Sequence, residues 1–341
     1  MDNCSYSQLL RIAISGNNLS RSQTHWAFGQ IMQGLWPDSQ IAGLLVALAM
    51  KSHSVDEIAG AAEAMREHVV RIDNGGKDVI DTCGTGGSGV NSFNISTAAA
   101  LVAAGAGVTV AKHGNRTATR ASGSADVLAA LGVNINAETP VAEKCLREAG
   151  VCFCFAIRCH PAMKYAAPVR KALGVRTLFN ILGPLTNPAC ARRQLMGVFD
   201  PNLTETIASV LGALGSIRAT VVHAEDGLDE ISTASDTKVS EWRQGKVTTR
   251  MVKPEDFGLR RARIDDLLVK DAQDSANVIR KVLSGAPGPQ RDIVLLNAAA
   301  ALAVAGEKSL EECLQAARES IDTGAALRAL ERLVAVSNQP A

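Results

Sequence analysis

No charge of one sign predominates in this sequence of 341 residues: 35 Lys and Arg stand against 34 Asp and Glu, a formal net charge of +1. With both signs interspersed, the chain lacks the electrostatic footprint of a nucleic-acid groove or an anionic membrane surface, so any anion must be held locally. Aromatic residues are scarce at 4%, but 47% of the chain is hydrophobic, which excludes disordered and collagen-like classes. Eight cysteines are too few to staple a fold of this length. Several sit in apolar runs such as Val151-Cys152-Phe153-Cys154-Phe155, which suits a reducing compartment. Met1-Asp2-Asn3-Cys4-Ser5 lacks the basic and apolar regions of a secretory signal, and a cytoplasmic location is expected.

Charged residues are also absent from Thr82 through Ala111. That stretch is long enough to span a membrane. Its glycines and the polar groups of Ser88, Asn91, Ser92, Asn94, Ser96 and Thr97 would lack partners in lipid, so buried soluble structure is expected instead.

The length allows one large domain or two ordinary ones, each able to bury a core. The first seventy residues read as helices, broken at Ser15-Gly16-Asn17-Asn18 and Trp36-Pro37-Asp38. Asp38 or Ser39 is the expected cap of a helix over Gln40 to Lys51. Ser54, with Glu57 in the capping-box position, is the expected cap of one over Val55 to Val70. Asp73-Asn74-Gly75-Gly76 is a turn and a natural boundary. Beyond it, short apolar strands alternate with Ala- and Leu-rich helices, the pattern of an α/β fold with a mostly parallel sheet. The expected strands are Asp78 to Cys83, Val108 to Ala111, Val151 to Ala156, Gln194 to Phe199 and Ala219 to His223. Glu241 to Lys253, centred on Gln244-Gly245, reads as an added hairpin. Helices are expected over Ser96 to Ala106, Gly123 to Leu131, Pro140 to Ala149, Leu203 to Leu214 and Arg291 to Ala305, with amphipathic helix over Ala276 to Leu283 and Leu310 to Leu333.

Gly84-Thr85-Gly86-Gly87-Ser88-Gly89 follows a predicted strand and precedes a predicted helix. By spacing it matches the dinucleotide fingerprint, but the acidic residue expected after the second strand is replaced by Lys112-His113-Gly114-Asn115-Arg116. Val90 stands where a Walker loop needs lysine. The loop still suits an oxyanion: glycines let N–H groups converge, and Asn94, Ser96 and Thr97 open the next helix, whose start favours anions. Its alternative is a structural turn with an ordinary cap, which the neighbouring basic loop makes less attractive. Glu225-Asp226-Gly227-Leu228-Asp229-Glu230 is a candidate Mg²⁺ site at a strand end, or a solvated turn. Arg170, in the proline-shaped stretch after His160-Pro161-Ala162-Met163, can grip a carboxylate bidentately or lie exposed on a helix. Cys152, Cys154, Cys159 and His160 can be drawn as a zinc cluster, but the Cys-x-Cys suits a buried strand better.

These segments, together with Asn94-Ile95-Ser96-Thr97, Thr186-Asn187-Pro188 and Asp229-Glu230, resemble the anthranilate phosphoribosyltransferase family nearly end to end. The resemblance implies a small N-terminal α-helical domain packed on a larger domain with a mostly parallel sheet flanked by helices. The implied division is residues 1–73, joined by part of 160–190, and residues 74–341. It implies transfer of the phosphoribosyl group of 5-phosphoribosyl 1-pyrophosphate to the amine of anthranilate, with Mg²⁺, in a homodimer. Carried over, it assigns Gly84, Gly87, Ser88, Ser92, Asn94, Ile95, Ser96, Thr97, Lys112, His113, Gly114, Asn115, Arg116 and Ser124 to the donor. Gly84, Asn115 and Arg170 go to anthranilate, and Ser96, Asp229 and Glu230 to the metal. Ser88 departs from the family's usual aspartate, and Ser92 from its common threonine. No general base is assigned, because an aromatic amine is already nucleophilic when neutral, and His113 reads as scaffold. Two other readings are nucleoside phosphorolysis on the same architecture and a non-catalytic nucleic-acid binder; the charge balance speaks against the latter.

Overall fold

The protein is described by a computed structural model that covers residues 5–87, 89–116 and 123–340; Ser88 lies outside the described residues. The chain opens with helices Tyr6–Ile14, Arg21–Met32, Asp38–Ala49 and Val55–Glu67. Capping boxes start three of them, at Ser5 with Gln8, Ser20 with Gln23, and Ser54 with Glu57. The third begins at Asp38 behind Pro37, with no side-chain cap. Neither Asp38 nor Ser39 caps it, because the fixed φ of proline holds the chain extended up to the first turn. The fourth helix stops at Glu67, short of Val70, whose N–H donates to the Cys159 carbonyl at 2.9 Å.

Among the described residues seven strands form one sheet: β1 (Ile80–Gly84), β2 (Val110–Gly114), β3 (Val151–Phe155), β4 (Arg193–Gly197), β5 (Arg218–Ala224), β6 (Thr237–Arg243) and β7 (Lys246–Val252), in the order β3-β2-β1-β4-β5-β6-β7. The first five in chain order run parallel, and β6 and β7 are an antiparallel extension. Gln244 and Gly245 both have positive φ (51° and 80°), the backbone a two-residue hairpin turn needs to match strand twist. β2 extends beyond Ala111: Lys112 and His113 pair with Phe153 and Cys154 inside the sheet. From β1 the chain builds outward through β2 to β3, then returns to add β4 and β5 on the other side. The crevice at the carboxyl ends of β1 and β4 is therefore a topological switch point, where ligands bind in open α/β sheets.

The charge-free stretch is explained by helix Ile95–Gly105, whose residues from Thr97 to Ala103 are all buried. It packs against helices Pro289–Ala305 and Ala325–Ser337. The segment Leu310 to Leu333 is two helices, Leu310–Asp322 and Ala325–Ser337, because Gly324 takes a left-handed conformation (φ 73°) between them. A second core joins Phe28, Ile41 and Leu44 of the N-terminal helices to Val169, Leu178 and Phe179, and to Met196 and Val221 of the sheet. Among the described residues no single helix is long and apolar enough to cross a membrane.

Helices Arg21–Met32 and Val55–Glu67 meet at Gly60, where a Cβ would lie 2.2 Å from the Arg21 carbonyl oxygen. Backbone cannot yield there as a flexible side chain would. Gly60→Ala is expected to lower stability by about 1–3 kcal/mol through overpacking, measured as a shifted urea midpoint at constant slope; an unchanged midpoint would refute the close approach.

Candidate active site

The strand ends are drawn together by residues that leave no spare room. A Cβ on Gly84 would lie 2.5 Å from an Asp229 carboxylate oxygen, and one on Gly197 would lie 1.7 Å from the Asp229 carbonyl. Glycine is required at Gly197, where the obstacle is backbone, and a side chain at Gly84 would have to displace the Asp229 carboxylate, because the acidic segment after β5 crosses over β1 and β4. From Gly84 the chain turns through Gly86 and Gly87, with φ of 66° and 77°. The loop is tied back to β4: Thr85 N–H donates to the Gly197 carbonyl (2.9 Å), and Phe199 N–H donates to the Thr85 hydroxyl (3.1 Å). Ser92 pairs with Leu268 in an isolated bridge, and Asn94 N–H donates to Ser275 Oγ (2.9 Å).

Asn94 caps the helix that follows, accepting from Thr97 N–H (3.2 Å) and from the Thr97 hydroxyl. That helix start carries the partial positive charge that favours a phosphate. Ile95 is fully buried, so its side chain serves the core and only its backbone is left for a ligand. Ser96, in the same first turn, accepts a 3.1 Å bond from Lys112 Nζ, which also donates to the Thr82 carbonyl at 2.6 Å.

Lys112 is 3% exposed. Desolvation lowers its pKa, while Asp81, Glu230 and Asp229 favour the charged form. Asp81, wholly buried in β1, accepts from His113 N–H (3.0 Å) and from the Asn187 amide (2.8 Å). Asn187 in turn donates to the Ala111 carbonyl at 2.8 Å. Burial raises the Asp81 pKa against these bonds and against the attraction of Lys112.

The acidic segment is a built structure and not a solvated turn. Asp226 accepts from Leu228 N–H (3.1 Å) and from the Ser232 hydroxyl, and so shapes the turn. Asn297 clamps Ile231 through its N–H (3.0 Å) and carbonyl (2.9 Å). Asp229 and Glu230 are buried and line one small cavity with Thr82, Ser96, Gly197 and Asn297. Two carboxylates and a hydroxyl are the hard oxygen donors Mg²⁺ prefers.

The end of β2 holds the remaining basic residues. Gly114 admits Ser124, whose Oγ would lie 2.1 Å from a Cβ at that position. The Asn115 carbonyl accepts from Ser124 Oγ (3.5 Å) and Ala125 N–H (3.3 Å). Arg116 lies 3.7 Å from Asp126. Arg170 lies on helix Ala167–Leu173, half-buried over the Phe179 ring at 5.5 Å; burial lowers its pKa. It is therefore not the exposed helix residue its sequence context allows.

Comparisons with known proteins show the family to which this fold belongs. Residues 7–69 match the glycosyl transferase family helical bundle domain, and residues 76–327 match the glycosyl transferase family a/b domain. An anthranilate phosphoribosyltransferase of Symbiobacterium thermophilum is 51% identical over 95% of this chain and 96% of its own length. The chain belongs to the anthranilate phosphoribosyltransferase family. A crystal structure of such an enzyme from Thermus thermophilus superposes with a TM-score of 0.92 at 41% identity, covering 97% of this chain and 99% of that one. The Saccharomyces cerevisiae enzyme in complex with PRPP and Mg gives 0.86 at 29% identity, with 98% of each chain covered.

Within this phosphoribosyltransferase fold the structure adds residues that sequence reasoning passes over. Sequence context groups His160 with the cysteines, but its Nε2 lies 3.1 Å from His113 Nε2. Cys152 and Cys154 lie buried in β3 with sulfurs 3.8 Å apart. One of the two histidine rings donates to the other through these Nε2 atoms. Asp81 and Arg176 likewise have no role in the sequence reading, and Asn187 enters it only within the Thr186-Asn187-Pro188 segment. A carboxylate within the apolar β1 run is the available signal for Asp81, while Arg176 offers none.

Burial and the adjacent ring push His113 down to about 3, and burial pushes His160 down to about 4, from an ordinary 6.5. The unfolded chain therefore binds protons that the folded one refuses. Stability from the neutral pair is complete above pH 6.5 and is lost as pH falls toward 4. His160→Gln is expected to flatten this acid limb in urea titrations at stepped pH; an unaltered limb would exclude the pair as its source.

Proposed function

We propose that the cavity at the carboxyl ends of β1, β4 and β5 is where a diphosphate leaves a ribose. The observation that carries this reading is the convergence of Lys112, Ser96, Asp229 and Glu230 beneath the glycine loop. The protein transfers the phosphoribosyl group of 5-phosphoribosyl 1-pyrophosphate to the amine of anthranilate, releasing pyrophosphate. This is the second step of tryptophan biosynthesis from chorismate, and Mg²⁺ is its cofactor. Gly84, Gly87, Asn94, Ser96, Thr97 and Lys112 face the donor, with Ser92, Ile95 and His113 setting their positions. Gly114, Asn115, Arg116 and Ser124 complete its site at the end of β2.

Breaking the bond between ribose C1 and pyrophosphate leaves negative charge on the departing group. Lys112 uses two of its three N–H donors within the protein and has a third for a phosphate oxygen. Loop N–H groups and the helix start add preorganised positive potential. Ser96, Asp229 and Glu230 would hold Mg²⁺, which when bound neutralises part of the pyrophosphate charge. Gly84, Asn115 and Arg170 orient anthranilate, Arg170 by pairing with its carboxylate, so that the neutral amine meets C1 opposite the leaving group. Alignment of the two substrates lowers the barrier without a side-chain base.

A division into residues 1–73, joined by part of 160–190, and residues 74–341 is the one proposed; the second core supports the joining, since it holds Val169 and Phe179 against the N-terminal helices, and it continues to Met196 and Val221 of the sheet. A cytoplasmic homodimer is the form proposed. Val46 and Met50, exposed four residues apart on and just beyond helix Asp38–Ala49, support an apolar contact there.

Loss of anthranilate fluorescence on mixing with donor and Mg²⁺ tests the activity; folded protein without turnover would refute it. Joint replacement of Asp229→Asn and Glu230→Gln should reduce turnover by about a hundredfold at limiting Mg²⁺, and an unshifted Mg²⁺ titration would remove both from the metal site. Arg170→Ala is expected to raise the anthranilate KM about tenfold with little change for the donor. Equal effects on the two substrates would contradict its role.

A further inference from the structure

We infer that Arg176 is a positioning residue that sets the glycine loop for the donor and ties it to the segment carrying Arg170. The inference rests on the assignment of that loop to the donor. Four contacts form a closed circuit around the loop. Thr85 N–H donates to the Gly197 carbonyl at the end of β4 (2.9 Å), and Phe199 N–H donates back to Thr85 Oγ1 (3.1 Å). The Arg176 guanidinium lies over the Phe199 ring, 4.1 Å from its centroid. Its Nη2 returns to the loop, donating to the Gly87 carbonyl at 2.8 Å.

The circuit matters because of what the loop is made of. Gly86, Gly87 and Gly89 all have positive φ, a conformation glycine reaches readily but loses much entropy in holding. A cationic donor already bonded to Gly87 removes part of that ordering from the cost of binding the donor substrate. Arg176 suits the task because its planar group can stack on an aromatic ring while donating sideways to a carbonyl; lysine would keep only the charge.

The other end of the connection gives the residue its second role. Helix Ala167–Leu173, which carries Arg170, ends at Gly174 in the left-handed conformation (φ 63°). Two residues later Arg176 reaches the loop, and Thr177 N–H, bonded to Asn180 Oδ1 (2.9 Å), starts the turn into helix Phe179–Leu182. Phe179 is the ring beneath Arg170. Arg170 and Arg176 thus flank one short connection packed against the N-terminal helices, so a shift of that connection moves the anthranilate contact and the donor loop together.

The test is steady-state kinetics of Arg176→Ala, Arg176→Lys and Phe199→Leu, with Lys112→Gln as the reference for the donor site and melting temperatures to establish folding. Arg176→Ala should raise the donor KM about tenfold with kcat changed less than about threefold. Arg176→Lys should recover part of that loss, and Phe199→Leu should give a smaller rise of the same kind. If Lys112→Gln weakens the donor while Arg176→Ala leaves its KM unchanged, the inference is overturned and the donor site stands. If neither variant affects the donor, the donor-site reading fails and the inference falls with it. If Arg176→Lys is as impaired as Arg176→Ala, with both substrates and the melting temperature affected alike, the residue is structural and the inference is overturned. Should Arg176→Ala not fold, Arg176→Lys and Phe199→Leu decide the matter by the same readings.

Discussion

An ammonium group held out of water at the end of a central strand is costly unless every neighbour is arranged around it. Lys112 occupies such a position, and much of the site follows from keeping it there. The Thr82 carbonyl and Ser96 hydroxyl take two of its protons. Asp81, one strand away, supplies opposing charge and is itself fixed by Asn187 and the His113 N–H. Asn187 reaches back to the Ala111 carbonyl beside Lys112, so the network holds β1, β2 and the segment after Gly183 in one register. A phosphate arriving at this edge meets a cation whose direction is already set. Preorganisation of that kind is what makes electrostatic stabilisation effective in a site shielded from water.

The same geometry accounts for acidic residues lying so near the site proposed for the diphosphate. The Asp229 carboxylate packs directly over Gly84, where a Cβ would displace it, and Glu230 shares the cavity with Ser96. Carboxylates opposite a diphosphate repel it unless a divalent cation stands between them. The helical domain contributes from the other side. Its packing on Val169 and Phe179 holds Arg170, the arginine proposed for the acceptor, on the same connection that touches the glycine loop.

What can be read from the sequence divides along physical lines. Periodicity exposes the strands and most helices, and the hairpin turn at Gln244-Gly245 is visible because few residue pairs favour two left-handed positions. Helix ends are less legible: Pro37 takes the place of the expected caps, and Gly324 splits one helical run into two. The glycine loop, Lys112 and the acidic pair stand out because their residue types are unusual at strand ends. Asp81 with Asn187, His113 with His160 and Arg176 with Gly87 do not. Each joins residues distant in the chain, by 106, 47 and 89 positions respectively, and no local pattern marks such pairs. His160 in particular can be drawn with nearby cysteines, a reading the buried strand already outweighs, but only the fold shows it turned toward His113 of β2.

The most direct measurement is a crystal structure of this protein with 5-phosphoribosyl 1-pyrophosphate and Mg²⁺ bound. The account predicts pyrophosphate oxygens within hydrogen-bonding distance of Lys112 Nζ and the loop N–H groups, with the metal between them and Asp229 and Glu230. A diphosphate seated elsewhere, with Lys112 still turned only to Thr82 and Ser96, would contradict it.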